Sequence, residues 1–252
     1  MSLWRLELLR LLRTRRWIAL AAVYLLLGLG EPLATFYLGQ LLQGSTGGDT
    51  YLHITVTTPK PTDAMAAYFS NITTLGTLVA VVVAGLAFSV RANPPLAAIY
   101  LTHVTNRTAL LVPRLATVAG ATAIAAAVGG GAAAYETAAL FGAPAAGATA
   151  TGVLLSALGA VFAVTVTFLA ACLLRGQVGA IAVALAVVFV AVPFADLIPG
   201  VRHVGPNTFA GLPTALQTMA WRTDDTWSVV VTGLLALAFV GAGLWRARRW
   251  EL

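Results

Sequence analysis

Few residues capable of chemistry interrupt the long apolar stretches of this sequence, and Glu31 is the clearest of them. It precedes Pro32 and lies about 14 residues, or ~21 Å, along a helix that starts near Trp17. A carboxylate so far along an apolar helix lines a polar pathway or contacts a cationic substrate, and Pro32 would kink the helix beside it. The alternative is a carboxylate near the outer interface, snorkelling to water or bonded to a neighbouring helix. Asp196, at the end of another apolar stretch, is expected at the interface.

A run of polar side chains opens the second apolar stretch. It comprises Asn71, Thr73, Thr74 and Thr77. Such a run on an otherwise apolar helix can face a cavity, and with Glu31 it forms our predicted lining of a substrate pathway. The alternative stays open that the hydroxyl groups bond only to carbonyls of their own helix.

No catalytic or energy-converting motif is present in the sequence. A P-loop requires lysine in G-x-x-x-x-G-K-[ST], whereas the only lysine, Lys60, lies between Pro59 and Pro61. The three histidines occupy separate polar segments without cysteine or carboxylate at ligand spacing, and the single cysteine, Cys172, has no disulfide partner. We therefore predict no catalytic site, metal or cofactor in this chain. Its energy source would be a partner protein, unless it acts passively or on an ion gradient.

The elements that must position these residues are predicted to be transmembrane helices. The chain is 59% apolar and 10% charged, with a mean hydropathy of +0.88. A water-soluble domain of this composition would have too few polar residues to cover its apolar side chains. Several stretches reach the ~20 apolar residues that cross a ~30 Å hydrocarbon core. We predict an all-α integral membrane protein with one transmembrane domain over residues 1–252. The predicted spans are residues 17–41, 66–89, 109–134, 147–174, 178–198 and 227–245.

Arginine placement predicts the topology. Six spans with both termini inside put 12 of the 15 basic residues on the cytoplasmic side, as the positive-inside rule requires. We interpret the net charge of +6 as this topology signal, and we predict no binding of nucleic acid. The 12 residues are Arg5, Arg10, Arg13, Arg15, Arg16, Arg91, Arg107, Arg114, Arg175, Arg246, Arg248 and Arg249.

Segments outside the spans carry further structure in this prediction. Residues 2–16 predict an amphipathic helix at the membrane interface. One side of this helix carries Trp4, Leu8, Leu11 and Leu12, and another carries Glu7, Arg10, Arg13 and Thr14. In the first outer loop, residues 52–57 alternate as in a strand, although an irregular loop fits as well. In the last outer loop, residues 212–221 favour a short interfacial or re-entrant helix.

Small residues accumulate in the third and fourth spans. Gly129 to Gly131 follow an alanine run, and Gly152, Ser156 and Ala160 recur at four-residue spacing. Small side chains let helices approach closely. Packing within the chain is favoured over a dedicated dimer interface.

The inside loop between the second and third spans is the most informative polar segment. Asn93 can cap a short helix that Pro94 and Pro95 begin, and Leu96 starts its apolar side. Such a helix suits docking into a groove of another protein, with a surface helix held by lipid headgroups as the alternative. The predicted docking residues are Arg91, Asn93, Pro94, Leu96, Tyr100, His103 and Arg107.

This plan resembles the permease subunits of ABC-2 type exporters over most of the chain. Members of that family typically have a basic amphipathic N-terminal helix, six spans, a cytoplasmic coupling helix between spans two and three, and a structured outer segment between spans five and six. The family often follows its coupling helix with Leu-x-x-Pro-Val-Ser-Arg and a basic residue seven positions later. Here LTHVTNR runs from Leu101 to Arg107, with Arg114 at that position and without the proline.

The resemblance implies an ATP-driven exporter half in a bacterial or archaeal plasma membrane. Two copies of a separate P-loop ATPase would bind ATP and Mg and push on the coupling helices of two permease subunits, with a homodimer favoured over a heterodimer. The substrate would be hydrophobic or amphipathic, such as a drug, antibiotic, peptide or lipid-like molecule. The alternative class is a stand-alone channel, an ion-coupled carrier, or a non-transporting immunity or assembly protein.

Overall fold

The computed structural model describes residues 3–45, 59–89 and 107–249. This part of the chain is helical and contains no strand. It includes two π-helical segments, Ile72–Gly76 and Val187–Ala191, each continuous with an α-helix on both sides. The α-helices are α1 (Leu3–Arg13), α2 (Arg16–Ser45), α3 (Pro61–Asn71), α4 (Thr77–Phe88), α5 (Arg107–Phe141), α6 (Ala146–Leu173), α7 (Gln177–Ala186), α8 (Val192–Ala195), α9 (Pro206–Ala215) and α10 (Thr223–Arg248).

Six helical stretches are long and apolar enough to cross a membrane, so the chain is a multi-pass membrane protein. The prediction of an all-α fold with six such helices is confirmed for the described residues. Span two begins at Pro61 and not at 66, and span three continues to Phe141 and not to 134. The spans are Arg16–Leu38, Pro61–Phe88, Thr108–Phe141, Ala146–Leu173, Gln177–Ala195 and Thr223–Arg248.

Capping interactions start two of the spans earlier than hydropathy predicts. The backbone N–H of Lys60 donates to the Asp63 carboxylate at 2.9 Å, and Pro61 occupies the first helical position. The same arrangement begins α10, where the backbone N–H of Arg222 donates to Asp225 at 2.7 Å. These polar turns extend their helices beyond the apolar core of the span.

Glycines bring the spans into close contact within the chain. A β-carbon at Gly28 in span one would overlap the carbonyl oxygen of Gly129 in span three, and one at Gly129 would lie 2.5 Å from the carbonyl oxygen of Tyr24. Gly152 in span four faces the ring of Phe69 in span two, 2.6 Å from the position of a β-carbon. The small residues of spans three and four therefore serve packing inside one copy, as favoured above.

Span four lies at the centre of the bundle. It packs against spans two, three, five and six and against α9. Its side chains Phe162, Val164 and Phe168 are buried, and the rings of Phe168 and Phe88 meet edge to face at 5.2 Å.

One end of the bundle collects most of the arginines, and we call it the basic end. There the Arg16 guanidinium at the start of span one donates to the carbonyl of Leu86, near the end of span two, at 2.9 Å. Gly243 of span six lies against Phe168 near the end of span four. The described arginines of this end are Arg5, Arg10, Arg13, Arg15, Arg16, Arg107, Arg114, Arg175, Arg246, Arg248 and Arg249.

Two predictions about the outer loops have different outcomes. The last loop does contain a short helix, but α9 spans Pro206–Ala215, so the predicted range 212–221 was wrong in its bounds. Pro206 at the first position starts the helix early, and Phe209 and Leu212 bury it against the bundle. The alternating segment 52–57 lies outside the described residues.

Candidate functional site

A groove of about 210 Å³ opens at the end of the bundle opposite the basic end. Spans two, four and five and the helix α9 form its walls. Most of the residues that line the groove are apolar, and a few contribute hydroxyl or amide groups. Small-molecule binding sites usually have this composition. The lining of the groove includes Thr73, Thr74, Thr77, Ser156, Phe162, Val188, Phe189, Asn207 and Phe209.

Both π-helical segments contribute to this groove. Ile72, Thr73 and Thr74 come from the segment in span two, and Val188 and Phe189 come from the segment in span five. A π-helical turn inserts one residue into the i to i−4 ladder and is found frequently at functional sites. The two irregular turns widen their helices where the groove lies between them.

The threonines of span two line the groove while bonding to their own helix. The Thr73 hydroxyl donates to the Phe69 carbonyl at 2.8 Å, and that of Thr74 donates to the Ser70 carbonyl at 3.3 Å. Both interpretations of the polar run therefore apply to these two residues, because a hydroxyl that donates to a carbonyl still has lone pairs to accept with.

Ser156 is the polar group of the groove that is least satisfied. Its Oγ is buried and has no hydrogen-bond partner among the described residues. A buried hydroxyl without a partner costs about 1–3 kcal/mol, which makes it a natural hydrogen-bonding position for a ligand. Our sequence reasoning treated Ser156 only as a small packing residue. Its four-residue spacing with Gly152 placed it on a helix face without indicating a cavity.

Asp196 and Asn207 form a polar pair beside the groove. The Asn207 side-chain amide, which lines the groove, donates to Asp196 Oδ2 at 2.5 Å, and Asp196 Oδ1 is buried without a hydrogen-bond partner in the described structure. The pair ties the end of span five to the start of α9. No charged side chain is among the described lining residues, so the groove suits an uncharged molecule.

The remaining predicted pathway residues lie elsewhere in the single copy. Glu31 is half-buried on span one, where its backbone carbonyl accepts from the Thr35 hydroxyl at 2.9 Å, and it does not line the groove. Asn71 ends α3 and does not line the groove either. The structure thus brings Thr73, Thr74 and Thr77 together with Ser156, and it leaves Glu31 apart from them.

At the basic end, α1 is held to span three by a buried ion pair. Arg114 donates to Glu7 through Nη2 at 2.7 Å and through Nε at 3.1 Å, and Glu7 and Arg114 are 3% and 1% exposed. Arg10 Nη1 lies 3.7 Å from the same carboxylate. Glu7, Arg10 and Leu11 of α1 therefore face the bundle, while Trp4 and Leu8 are exposed. The predicted division of α1 is wrong for Leu11, which lies beside Glu7, and for Arg13 and Thr14, which are exposed.

Most of the predicted docking residues cannot be placed. Six of them lie outside the described residues: Arg91, Asn93, Pro94, Leu96, Tyr100 and His103. The seventh, Arg107, is the first residue of α5, at the basic end.

In the described ranges, no group of three or more histidine, cysteine, aspartate or glutamate side chains could hold a metal ion.

Comparison of the chain with models of known protein families and with curated proteins returned no match. The fold and the groove define a six-span membrane protein with a mainly apolar, uncharged groove between its helices.

Proposed function

We propose that the chain is the permease subunit of an ATP-driven exporter that moves an uncharged hydrophobic or amphipathic molecule out of the cytoplasm or the inner leaflet. One observation carries the proposal: the buried Glu7–Arg114 pair attaches the N-terminal helix α1 to span three. Arg114 lies seven residues after Arg107, the last residue of the predicted docking segment. The segment predicted to dock an ATPase thus leads into a helix that is braced about two turns after its start. The plan of the chain, similar to that of ABC-2 permeases, supports the same assignment.

Span two would carry movement from the docking segment to the groove. It ends at Phe88, next to that segment, and continues through α4 to Thr77, Thr74 and Thr73 in the groove wall. The distance along α4 is about 18 Å at 1.5 Å per residue. A push at one end of this rigid element would tilt the groove wall at the other, as in other rigid-body switches.

The groove supports an uncharged substrate. Thr77 and Ser156 offer hydroxyl groups within a mainly apolar wall, whereas a substrate charge would meet no opposite charge among the described lining residues. Glu31 remains a candidate for a surface between two copies, because span one exposes Leu26, Leu29 and Tyr37 on its outward side.

The proposal includes its partners and its location. Two P-loop ATPase subunits would supply the ATP and Mg chemistry at the basic end, and a second copy of the chain would complete the pathway. Both termini would be cytoplasmic in a bacterial or archaeal plasma membrane, because the basic end carries the arginines that are retained inside. In this arrangement α1 would lie in the inner interface.

Co-purification tests the proposal. A tagged chain is extracted from its native membrane in mild detergent, isolated, and analysed by mass spectrometry for bound proteins. A P-loop ATPase should be recovered in equal copy number with the chain. If well-expressed, monodisperse chain repeatedly carries no ATPase, or transports its substrate without one, the stand-alone class of channels and carriers replaces this assignment.

A further inference from the structure

The walls of the groove combine aromatic rings with hydroxyl groups, and this combination selects among uncharged molecules. The rings of Phe162, Phe189 and Phe209 line the groove together with Thr73 and Thr74. We infer that the groove binds a single substituted aromatic ring that carries a hydroxyl group, a molecule of the phenol class. The inference rests on the proposed function only in taking this groove as the substrate site, and the binding itself needs no ATPase.

The volume and the aromatic walls of the groove suit one ring. An apolar protein cavity of about 150 Å³ accepts benzene. The groove holds about 210 Å³, which leaves room for one ring with a short substituent. Phe162 and Phe209 are buried, and the ring of Phe162 lies 6.0 Å from that of Phe239, which holds this wall in place. A flat ring can pack edge to face or offset against such walls.

The threonine hydroxyls of the wall can only accept a hydrogen bond from a ligand. Thr73 donates its hydroxyl hydrogen to the Phe69 carbonyl, and Thr74 donates its own to the Ser70 carbonyl. Each hydroxyl oxygen keeps its lone pairs but has no second hydrogen to offer. A ligand therefore binds these oxygens by donating to them, which an ether, a ketone or an ester cannot do.

Ser156 supplies a donor to the same groove. Its Oγ is buried and has no hydrogen-bond partner among the described residues, so its hydrogen is available to a ligand. The side-chain nitrogen of Asn207, by contrast, already donates to Asp196. A hydroxyl group can both donate to a threonine oxygen and accept from Ser156. A phenol therefore matches these walls better than an ether or a hydrocarbon of the same size.

Fluorine NMR of the purified full-length chain in detergent tests the inference. Para-fluorophenol and para-fluoroanisole are compared near neutral pH, where both are uncharged, and protein-free detergent serves as the blank. We expect the phenol to bind about five-fold more tightly than the ether, because one additional hydrogen bond usually contributes about this factor. Equal affinities, or saturable binding of neither molecule, would overturn the inference.

Matched double variants assign the preference to the groove. Thr73→Val with Thr74→Val removes both acceptors and should reduce the preference for the phenol to less than about two-fold. The control combines Thr122→Val with Thr167→Val, whose hydroxyls also donate to carbonyls of their own helices but do not line the groove. This control should retain the full preference. A preference that survives in the first variant, or is lost in both, contradicts the site.

Ser156→Ala provides a second test that does not involve the threonines. It should weaken the binding of the phenol and of the ether alike, because the oxygen of each accepts from Ser156, and unchanged affinities would contradict this role. These measurements are separate from the recovery of an ATPase. If the phenol is preferred while no ATPase co-purifies, the groove assignment stands and the exporter proposal fails. If an ATPase is recovered while the phenol is not preferred, the opposite holds.

Discussion

Arg114 of span three and Glu7 of α1, 107 positions apart in the chain, form a bidentate ion pair that is almost completely buried. The pair explains why a helix with an exposed apolar side remains attached to the bundle by its polar side. It also places a buried charge pair seven residues beyond Arg107, the last residue of the segment that we expect to receive an external push.

Glu7→Gln should destabilise the chain strongly. Replacing the Glu7 carboxylate removes the charge that both bonds from Arg114 Nε and Nη2 reach, and breaking such a buried pair costs about 3–5 kcal/mol. Thermal unfolding in detergent measures the effect, with Glu136→Gln, a half-buried acid at the opposite end, as the matched control. The double variant Glu7→Met with Arg114→Leu should recover most of the loss, because the buried Arg114 charge is then removed together with Glu7. Equal unfolding temperatures for Glu7→Gln and the control would contradict this role of the pair.

Gly28→Ala should loosen the contact of spans one and three. A β-carbon there overlaps the carbonyl oxygen of Gly129, whereas one at Gly30, two residues further on, meets nothing within 4 Å. We expect Gly28→Ala to lower stability by about 1–3 kcal/mol through overpacking. Gly30→Ala should leave stability unchanged or raise it slightly, as expected for alanine in a helix. The comparison uses unfolding temperature, and the reverse order of the two variants would refute the close packing.

Ser156→Ala should separate stability from function. The substitution removes a buried hydroxyl without a partner, so the unfolding temperature should stay the same or rise, by the equivalent of about 1 kcal/mol. Efflux of uncharged hydrophobic dyes from cells should fall several-fold if this hydroxyl binds substrate. Thr232→Val removes another buried hydroxyl without a partner, away from the groove, and should leave efflux intact. Loss of efflux in both variants, or in neither, would argue against Ser156 as a substrate contact.

Cysteine labelling tests which end of the bundle faces the cytoplasm. Arg175→Cys and Arg202→Cys are made in a Cys172→Ala background, since both arginines are exposed and Cys172 is the only native cysteine. A membrane-impermeant maleimide should label position 202 in intact cells and position 175 only after permeabilisation, because the positive-inside rule predicts that the basic end is retained inside. The opposite labelling pattern would reverse the topology and remove the docking segment from the ATPase side.

Much of the fold follows from the sequence, because a span is a local property. Hydropathy located all six spans, but it missed the starts of spans two and six, which capping residues such as Asp63 extend, and it ended span three too early. The partner of Glu7 was not predictable in the same way. Helical periodicity shows which residues share a side of α1, but the side that faces the bundle depends on Arg114, which lies far along the chain.

The groove shows the same limit. Thr73, Thr74 and Thr77 were predicted as pathway residues, and they do line a groove, because their polar run interrupts an apolar helix. Ser156 and Asn207 complete it from other helices, and no local pattern connects them with span two. Glu31 carried the strongest sequence signal and lies apart from the groove within one copy. An ionisable residue in an apolar stretch of sequence, such as Glu31, is easily noticed, but the sequence does not show which side chains lie beside it in the fold.

Site-specific photo-crosslinking gives the most direct test of the proposed ATPase docking. A photoreactive phenylalanine analogue replaces Tyr100 in the docking segment or, as the control, Asp224 at the opposite end of the bundle. After irradiation of intact membranes, the crosslinked protein is identified by mass spectrometry. We predict a P-loop ATPase crosslinked at position 100 and none at position 224. An ATPase captured equally from both positions, or its absence at position 100 in well-expressed chain, would contradict the assignment.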